Sequence, residues 1–237
     1  EKLLKAASKF YEKFSKDREN DPTVRGQLGK AYFRLSMITG EIASKPEAIK
    51  LGEKASAIFA EMTAAKGEED YREEQAKCFH HLGLLNRVTN QLQESDKYYA
   101  LALTSWETLA RERPNAADLQ AGLARTLMHI GNAHRIANRL EPARDSYEKS
   151  LQAWGALAKS EAAEEYQREI AVLHSNLGIV YKSLAGRVKD AERQFRAAWA
   201  IQKRLVEDAP NISKYQNDFA ATNYELARLN PPVDAKP

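Results

Sequence analysis

The sequence predicts an all-α fold, an α-solenoid of antiparallel helix pairs. Three observations carry this. The 237 residues include only 11 Gly and 8 Pro, while Ala, Leu, Glu, Lys and Arg are abundant, so helix formers dominate and breakers are scarce. The chain repeats itself every 47 to 54 residues, at Leu28-Gly29, Leu82-Gly83, Ile130-Gly131, Leu177-Gly178 and Leu226-Ala227. Apolar residues step by three and four, and strand alternation is absent at any length.

The opening segment, 1–16, carries Leu3, Leu4, Ala7, Phe10, Tyr11 and Phe14 on one helical face. It reads as a lone helix packing on the first pair. Four helix-pair repeats are expected at 17–70, 71–118, 119–165 and 166–214. Asp21-Pro22 suits an N-cap followed by the first helical residue. In the second repeat, 74–88 is one helix, Asn90-Gln91 a turn, and 94–111 the other. Tyr98, Tyr99, Ala102, Leu103, Trp106, Leu109 and Ala110 form its buried stripe.

Small residues recur at Ala48, Ser95, Ala143 and Ala191, and four residues on stand Gly52, Tyr99, Tyr147 and Phe195. With Gly29 as the first mark, this register requires seven extra residues before Ala48 in the first repeat, and one more near Gly186 in the fourth. Phe59, Trp106 and Trp154 share one second-helix position and are expected to stack in the core, with Gln202 breaking the series. Pro114 and Pro210 lie just past second helices, where a helix stops. Residues 215–229 read as a capping helix and 230–237 as a flexible tail, the whole forming a single solenoid domain. A lone helix at each end fits a piece of a longer chain.

Composition excludes several functions. One Cys removes a disulfide framework and a Cys-rich zinc site. No apolar run reaches the ~20 residues of a membrane helix. The net charge of +3 is too small to argue for nucleic acid.

The grammar of Leu-Gly, then Tyr, then Ala-x-x-x-Tyr/Phe-x-x-Ala resembles the tetratricopeptide repeat over nearly the whole chain. The repeats exceed the usual ~34 residues, and Phe79, Leu127 and His174 stand where a Trp is usual. Tyr166-Gln167-Arg168-Glu169-Ile170-Ala171 and His174-Ser175-Asn176-Leu177-Gly178 resemble a long-repeat subset, found after the kinase domain of planctomycete-type bacterial serine/threonine kinases. No Gly-rich phosphate loop, His-Arg-Asp or Asp-Phe-Gly is present, so the chain itself carries no kinase signature. The resemblance implies a right-handed superhelix and a non-catalytic interaction scaffold. A sensory or dimerisation region of a membrane-anchored kinase is the alternative. The default compartment is the cytoplasm, with the outer side of a membrane-anchored parent as the other choice.

Candidate sites follow. His80, His81, His129, His134 and His174 lie on first helices, but none are four apart and no carboxylate or Cys completes a zinc shell. A histidine-dependent metal enzyme is therefore disfavoured, and no metal, cofactor or catalytic residue is assigned. Cys78 has no positioned base and reads as a plain buried thiol. The acidic groups around Glu68 and Glu164 suit helix starts. The resemblance places partner binding on the concave face, lined by first helices. Counted from the Gly mark, that gives Lys30 and Arg34 in the first repeat and His80, Leu84 and Arg87 in the second. The third gives Met128, Asn132 and Arg135, and the fourth Ile179 and Lys182. Arg87, Arg135 and Lys182 share one offset, and Lys77 and Arg125 another. A basic stripe with an apolar floor fits an acidic or carboxylate-ended peptide. No nucleic acid or membrane contact is expected, and a homodimer is open.

Overall fold

A computed structural model describes residues 22–64, 71–158 and 166–229. The expected opening helix, 1–16, and the tail, 230–237, lie outside them. Nine helices fill the described residues: α1 (Pro22–Ile42), α2 (Lys45–Ala64), α3 (Arg72–Val88), α4 (Leu92–Glu112), α5 (Ala117–Ile136), α6 (Leu140–Leu157), α7 (Gln167–Ser183), α8 (Val188–Asp208) and α9 (Ser213–Leu229). There is no strand among them. Successive helices pack as antiparallel pairs, and the chain divides into two compact units, the first ending at Thr126 and the second beginning at Leu127.

The turns have a shared chemistry. Asn90 and Asn138, 48 residues apart, both adopt the left-handed conformation, at φ 61° and 55°. Gln91 N–H donates to the Asn86 carbonyl and Asn90 N–H to Arg87, the pair of bonds that closes a helix C-terminus around a left-handed residue. Arg139 to His134 and Asn138 to Arg135 repeat it. Asn tolerates this conformation better than other L residues, which explains its place there. Gly186, at φ 73°, holds the corresponding turn after α7. The α1–α2 turn is built differently: Ser44 caps α2, its hydroxyl accepting from Glu47 N–H at 3.4 Å.

In the second, third and fourth pairs, a ring on the second helix packs against a glycine of the first. A Cβ at Gly83 would stand 2.7 Å from Tyr99, at Gly131 2.5 Å from Tyr147, and at Gly178 2.6 Å from Phe195. Only a residue without a side chain lets the helices approach this closely.

The first pair corrects the register expected from sequence. Its counterpart to Gly83 is Ser36, 47 residues earlier, and not Gly29. The proof is a swapped pair of hydroxyls: Ser36 Oγ donates to the Ala48 carbonyl at 2.7 Å, and Ser95 Oγ donates to the Gly83 carbonyl at 2.9 Å. Positions 36 and 83, and 48 and 95, therefore correspond, and the seven-residue insertion disappears. A small residue also occupies the ring position here, Gly52, and Leu82 Cδ2 from α3 fills the space, 2.8 Å from where a Cβ would sit. Gly29 instead faces Phe59, 2.8 Å from where a Cβ would sit. The sequence misled because Leu28-Gly29 has the right residue types, whereas Leu35-Ser36 lacks the glycine.

Burial follows the expected stripes. Phe59, Trp106 and Trp154 are all buried, and Gln202 occupies the same position while 2% exposed. The first unit's core joins Leu28, Tyr32, Phe59, Cys78 and Leu82, with a second cluster around Trp106, Leu109 and Leu119. The second unit buries Tyr147, Trp154, Leu173, Leu177, Val180 and Phe195. Each such side chain contributes about 1.5–3 kcal/mol.

Candidate functional site: cavities among the first helices

In the first unit, α1, α3 and α5 together line a cavity of about 350 Å³. Phe33 and Met37 come from α1, Lys77, His80 and His81 from α3, and Gly122 and Arg125 from α5, with Trp106 of α4 also in its wall. Trp106 is 3% exposed, and its indole Nε1 has no hydrogen-bond partner. Gly122 admits the ring: a Cβ there would stand 2.9 Å from three of its atoms. Lys77 and Arg125 are exposed at the rim, Lys77 paired with Glu73 at 2.6 Å. None of the lining residues is acidic.

Hydrogen bonds between first helices fix the histidines. His80 Nδ1 lies 2.9 Å from Thr126 Oγ1, and His81 Nε2 3.1 Å from Ser36 Oγ. His81 also meets Phe33 edge-on, with ring centres 5.7 Å apart. Burial holds the His81 imidazole below its usual pKa, although the Ser36 contact and Glu41 pull the other way. His81 is thus neutral at pH 7.

The residues expected from spacing scatter around this cavity. His80 lines it. Lys30 lies over the Tyr71 ring, 5.1 Å from its centre, and Arg34 is exposed on α1. With the register corrected, their offsets belong to Met37 and Glu41. Leu84 is half-buried on α3. Arg87 sits beside the Tyr99 hydroxyl, whose pKa burial pushes up to about 12 against the pull of that guanidinium.

In the second unit, Met128 is buried, at 7% exposure. Asn132 Oδ1 accepts from the Tyr147 hydroxyl at 2.7 Å, and Asn176 Nδ2 approaches it at 3.5 Å. Arg135 is half-buried, with its Nε buried and unpaired, as in Arg87. Lys182 forms an ion pair with Glu225 of α9. Ile179 lines a second cavity, of about 260 Å³, between α7, α8 and α9. Gln202, Ser175, Thr222, Asp218, Glu225 and Phe195 also border it.

Sequence reasoning did not place Trp106 and Gln202 beside open cavities. Both stand at the position assigned to a core ladder. That position is in the core, and it also backs the space between neighbouring first helices. The signal available was Gln202 itself, a polar residue in an otherwise aromatic series.

Cys78 is fully buried, its Sγ donating to the Gly52 carbonyl at 3.2 Å, and burial raises its pKa to about 12. No group of three metal-ligating side chains occurs among the described residues, and none of their helices is long and apolar enough to cross a membrane.

No family profile matches the sequence, and no curated protein does. Solved structures do. The chain is similar to BtubC from P. vanneervenii at a TM-score of 0.62 and 14% identity, covering 99% of this chain and 92% of that one. A putative kinesin light chain of TPR-like repeats from Podosopora anserina aligns at 0.53 and 20% identity, over 86% and 85%. The Rap conjugation gene regulator of plasmid pLS20, in complex with the Phr* peptide, aligns at 0.57 and 16%, over 98% of this chain and 56% of that one. At such identities the likeness concerns the fold. Paired helices, glycine-on-ring packing and these neighbours together show a tetratricopeptide-like repeat fold.

Proposed function

We propose that the chain is a non-catalytic interaction module, and that the first unit receives a partner segment combining an apolar side chain with a carboxylate. The observation that carries this reading is the cavity between α1, α3 and α5. Its walls are Phe33, Met37 and the Trp106 ring, its rim carries Lys77 and Arg125, and its lining has no acid. The unpartnered Trp106 N–H is a buried donor, and a buried donor gains about 1–3 kcal/mol when an acceptor arrives. Basic rim groups attract an acidic partner and bias its encounter. The Rap regulator, whose structure contains a bound peptide, is a neighbour by fold and lends support to a peptide as the partner. His80 is part of the receiving wall, and Leu84 and Arg87 continue along α3. Arg135 and Lys182 extend basic character to the second unit.

Panning a random peptide library on the purified protein tests this. Enriched peptides should pair Asp or Glu with Leu, Phe or Trp. Binding of an enriched, fluorescein-labelled peptide should fall at least about tenfold in Lys77→Glu/Arg125→Glu, and severalfold in Trp106→Phe, which keeps a ring but loses the N–H. Peptides without acidic residues, or affinities unchanged in both variants, would overturn the reading.

A further inference from the structure

We infer that the cavity between α7, α8 and α9 is a receptor for a guanidinium or ammonium on an aliphatic stem, the side chain of an Arg or Lys presented by a partner. The inference concerns the second unit and stands independently of the acidic-segment reading.

The site begins with a vacancy in the ring series. Position 202 carries Gln where the equivalent positions carry Phe59, Trp106 and Trp154. The large ring has moved one turn back, to Trp199, where its Nε1 donates to Asn223 of α9 at 2.8 Å and its ring packs on Phe219, centres 5.8 Å apart. The smaller Gln202 leaves the space between α7 and α9 unfilled.

That space is polar at its base. Gln202 is 2% exposed, and its amide makes one contact, Nε2 to Ser175 Oγ at 3.4 Å. Its Oε1 has no partner. Whichever way round the amide lies, Ser175 meets only one of its two heteroatoms. Ser175 Oγ is itself 3.0 Å from Thr222 Oγ1, which adds a hydroxyl pair able to accept. A buried amide left half-satisfied favours whatever ligand completes it.

Charge decides which ligand. Asp218 and Glu225 both line the cavity, whereas their cation partners, Arg168 and Lys182, do not. Arg168 Nη2 holds Asp218 Oδ2 at 3.0 Å, and Lys182 holds Glu225 Oε2. Asp218 Oδ2 is nonetheless buried without a hydrogen-bond partner, as is Gln202 Oε1, and a carboxylate oxygen in the same lining as an amide carbonyl suits a planar donor group. Val172, Ile179 and Phe195 supply an apolar wall for the stem. At the mouth, Tyr224 is 61% exposed and already carries a guanidinium, that of Arg228, 5.6 Å from its ring centre. The ring face therefore accommodates the group proposed. The two cavities have opposite polarity: donors and cations around Trp106, acceptors and carboxylates around Gln202.

The test is a titration of the whole isotopically labelled protein by amide NMR, with butylguanidinium as probe and butyrate as its anionic counterpart. Butylguanidinium should shift the Gln202 side-chain amide and the Thr222 backbone amide saturably. A dissociation constant of about 1–10 mM suits a probe of roughly eight non-hydrogen atoms. Affinity should fall at least about tenfold in Gln202→Leu, which keeps the volume but removes the acceptor, and in Glu225→Gln. Unchanged helical circular dichroism and unchanged shifts around Trp106 establish that both variants are folded. The inference is overturned by non-saturating shifts, by an equal response to butyrate at Gln202, or by unaltered affinity in the two variants.

Discussion

Two Gly→Ala substitutions near one helix should have opposite signs. Gly131 on α5 lies under Tyr147, and an added Cβ would meet two ring carbons at 2.5 Å and a third at 3.1 Å. Contacts this short require the ring or the helix to move. Tyr147 cannot yield easily, because it is fully buried and its hydroxyl is tied to Asn132 at 2.7 Å. Overpacking of this kind costs about 2–3 kcal/mol, and the helix preference of Ala over Gly returns ~1, leaving a net loss of about 1–2 kcal/mol. Gly155, on α6, is different: a Cβ there meets nothing within 4 Å. Gly155→Ala should keep only the propensity gain, about 0.5–1 kcal/mol. For a chain of 237 residues the two variants should melt several degrees apart, at about 2–4 °C per kcal/mol. Urea unfolding, followed in parallel by far-ultraviolet circular dichroism and Trp emission, measures both changes. Tyr147→Leu added to Gly131→Ala should recover part of the loss attributable to the clash. If Gly131→Ala equals or exceeds wild type in stability, the glycine-on-ring account of helix approach is wrong.

Other outcomes follow from the same reasoning. Asn138→Ala should cost about 1 kcal/mol while Asn138→Gly costs less, since Ala resists the left-handed turn; urea midpoints decide. The Cys78 thiol should resist iodoacetamide at pH 8 in the folded protein and react on unfolding. Its raised pKa of about 12 means a stability contribution present below the unfolded thiol value of ~8.5 and lost as pH rises through the folded one. His81 has the opposite dependence: its depressed pKa gives stability present above ~6.5 and lost as pH falls through the folded value, and a proton-NMR titration of its ring should find a midpoint below that of an unfolded control. Ser36→Ala should weaken the α1–α2 contact by about 1 kcal/mol or more, because it leaves the Ala48 carbonyl without that donor.

The helix-pair fold was legible because it is written in local chemistry. Three- and four-residue apolar steps, a recurrence of 47 to 54 residues and the Asn90 turn can each be read without knowing a single long-range contact. The register of the first pair was not legible, since Ser36 and Gly52 satisfy as a combination what Gly83 and Tyr99 satisfy with exchanged sizes. A pattern sought one position at a time cannot see such an exchange. Site reading met a related limit. Asn132 and Lys182 look available in the sequence, but Tyr147 and Glu225 already engage them across helices. Trp106 and Gln202 look structural, yet both border open cavities. Long-range pairing decides which polar groups are satisfied, and spacing along one helix does not report it.

The packing at Gly52 bears on how the protein assembles. The hollow left there is closed by Leu82, which belongs to the following pair. A hairpin of α1 and α2 alone would present an empty socket to water, so the first pair is a recipient and the second its plug. Synthesis from the N-terminus would therefore leave α1 and α2 waiting until α3 emerges. A fragment ending after α2 should be far less ordered than one ending after α4, which retains Leu82.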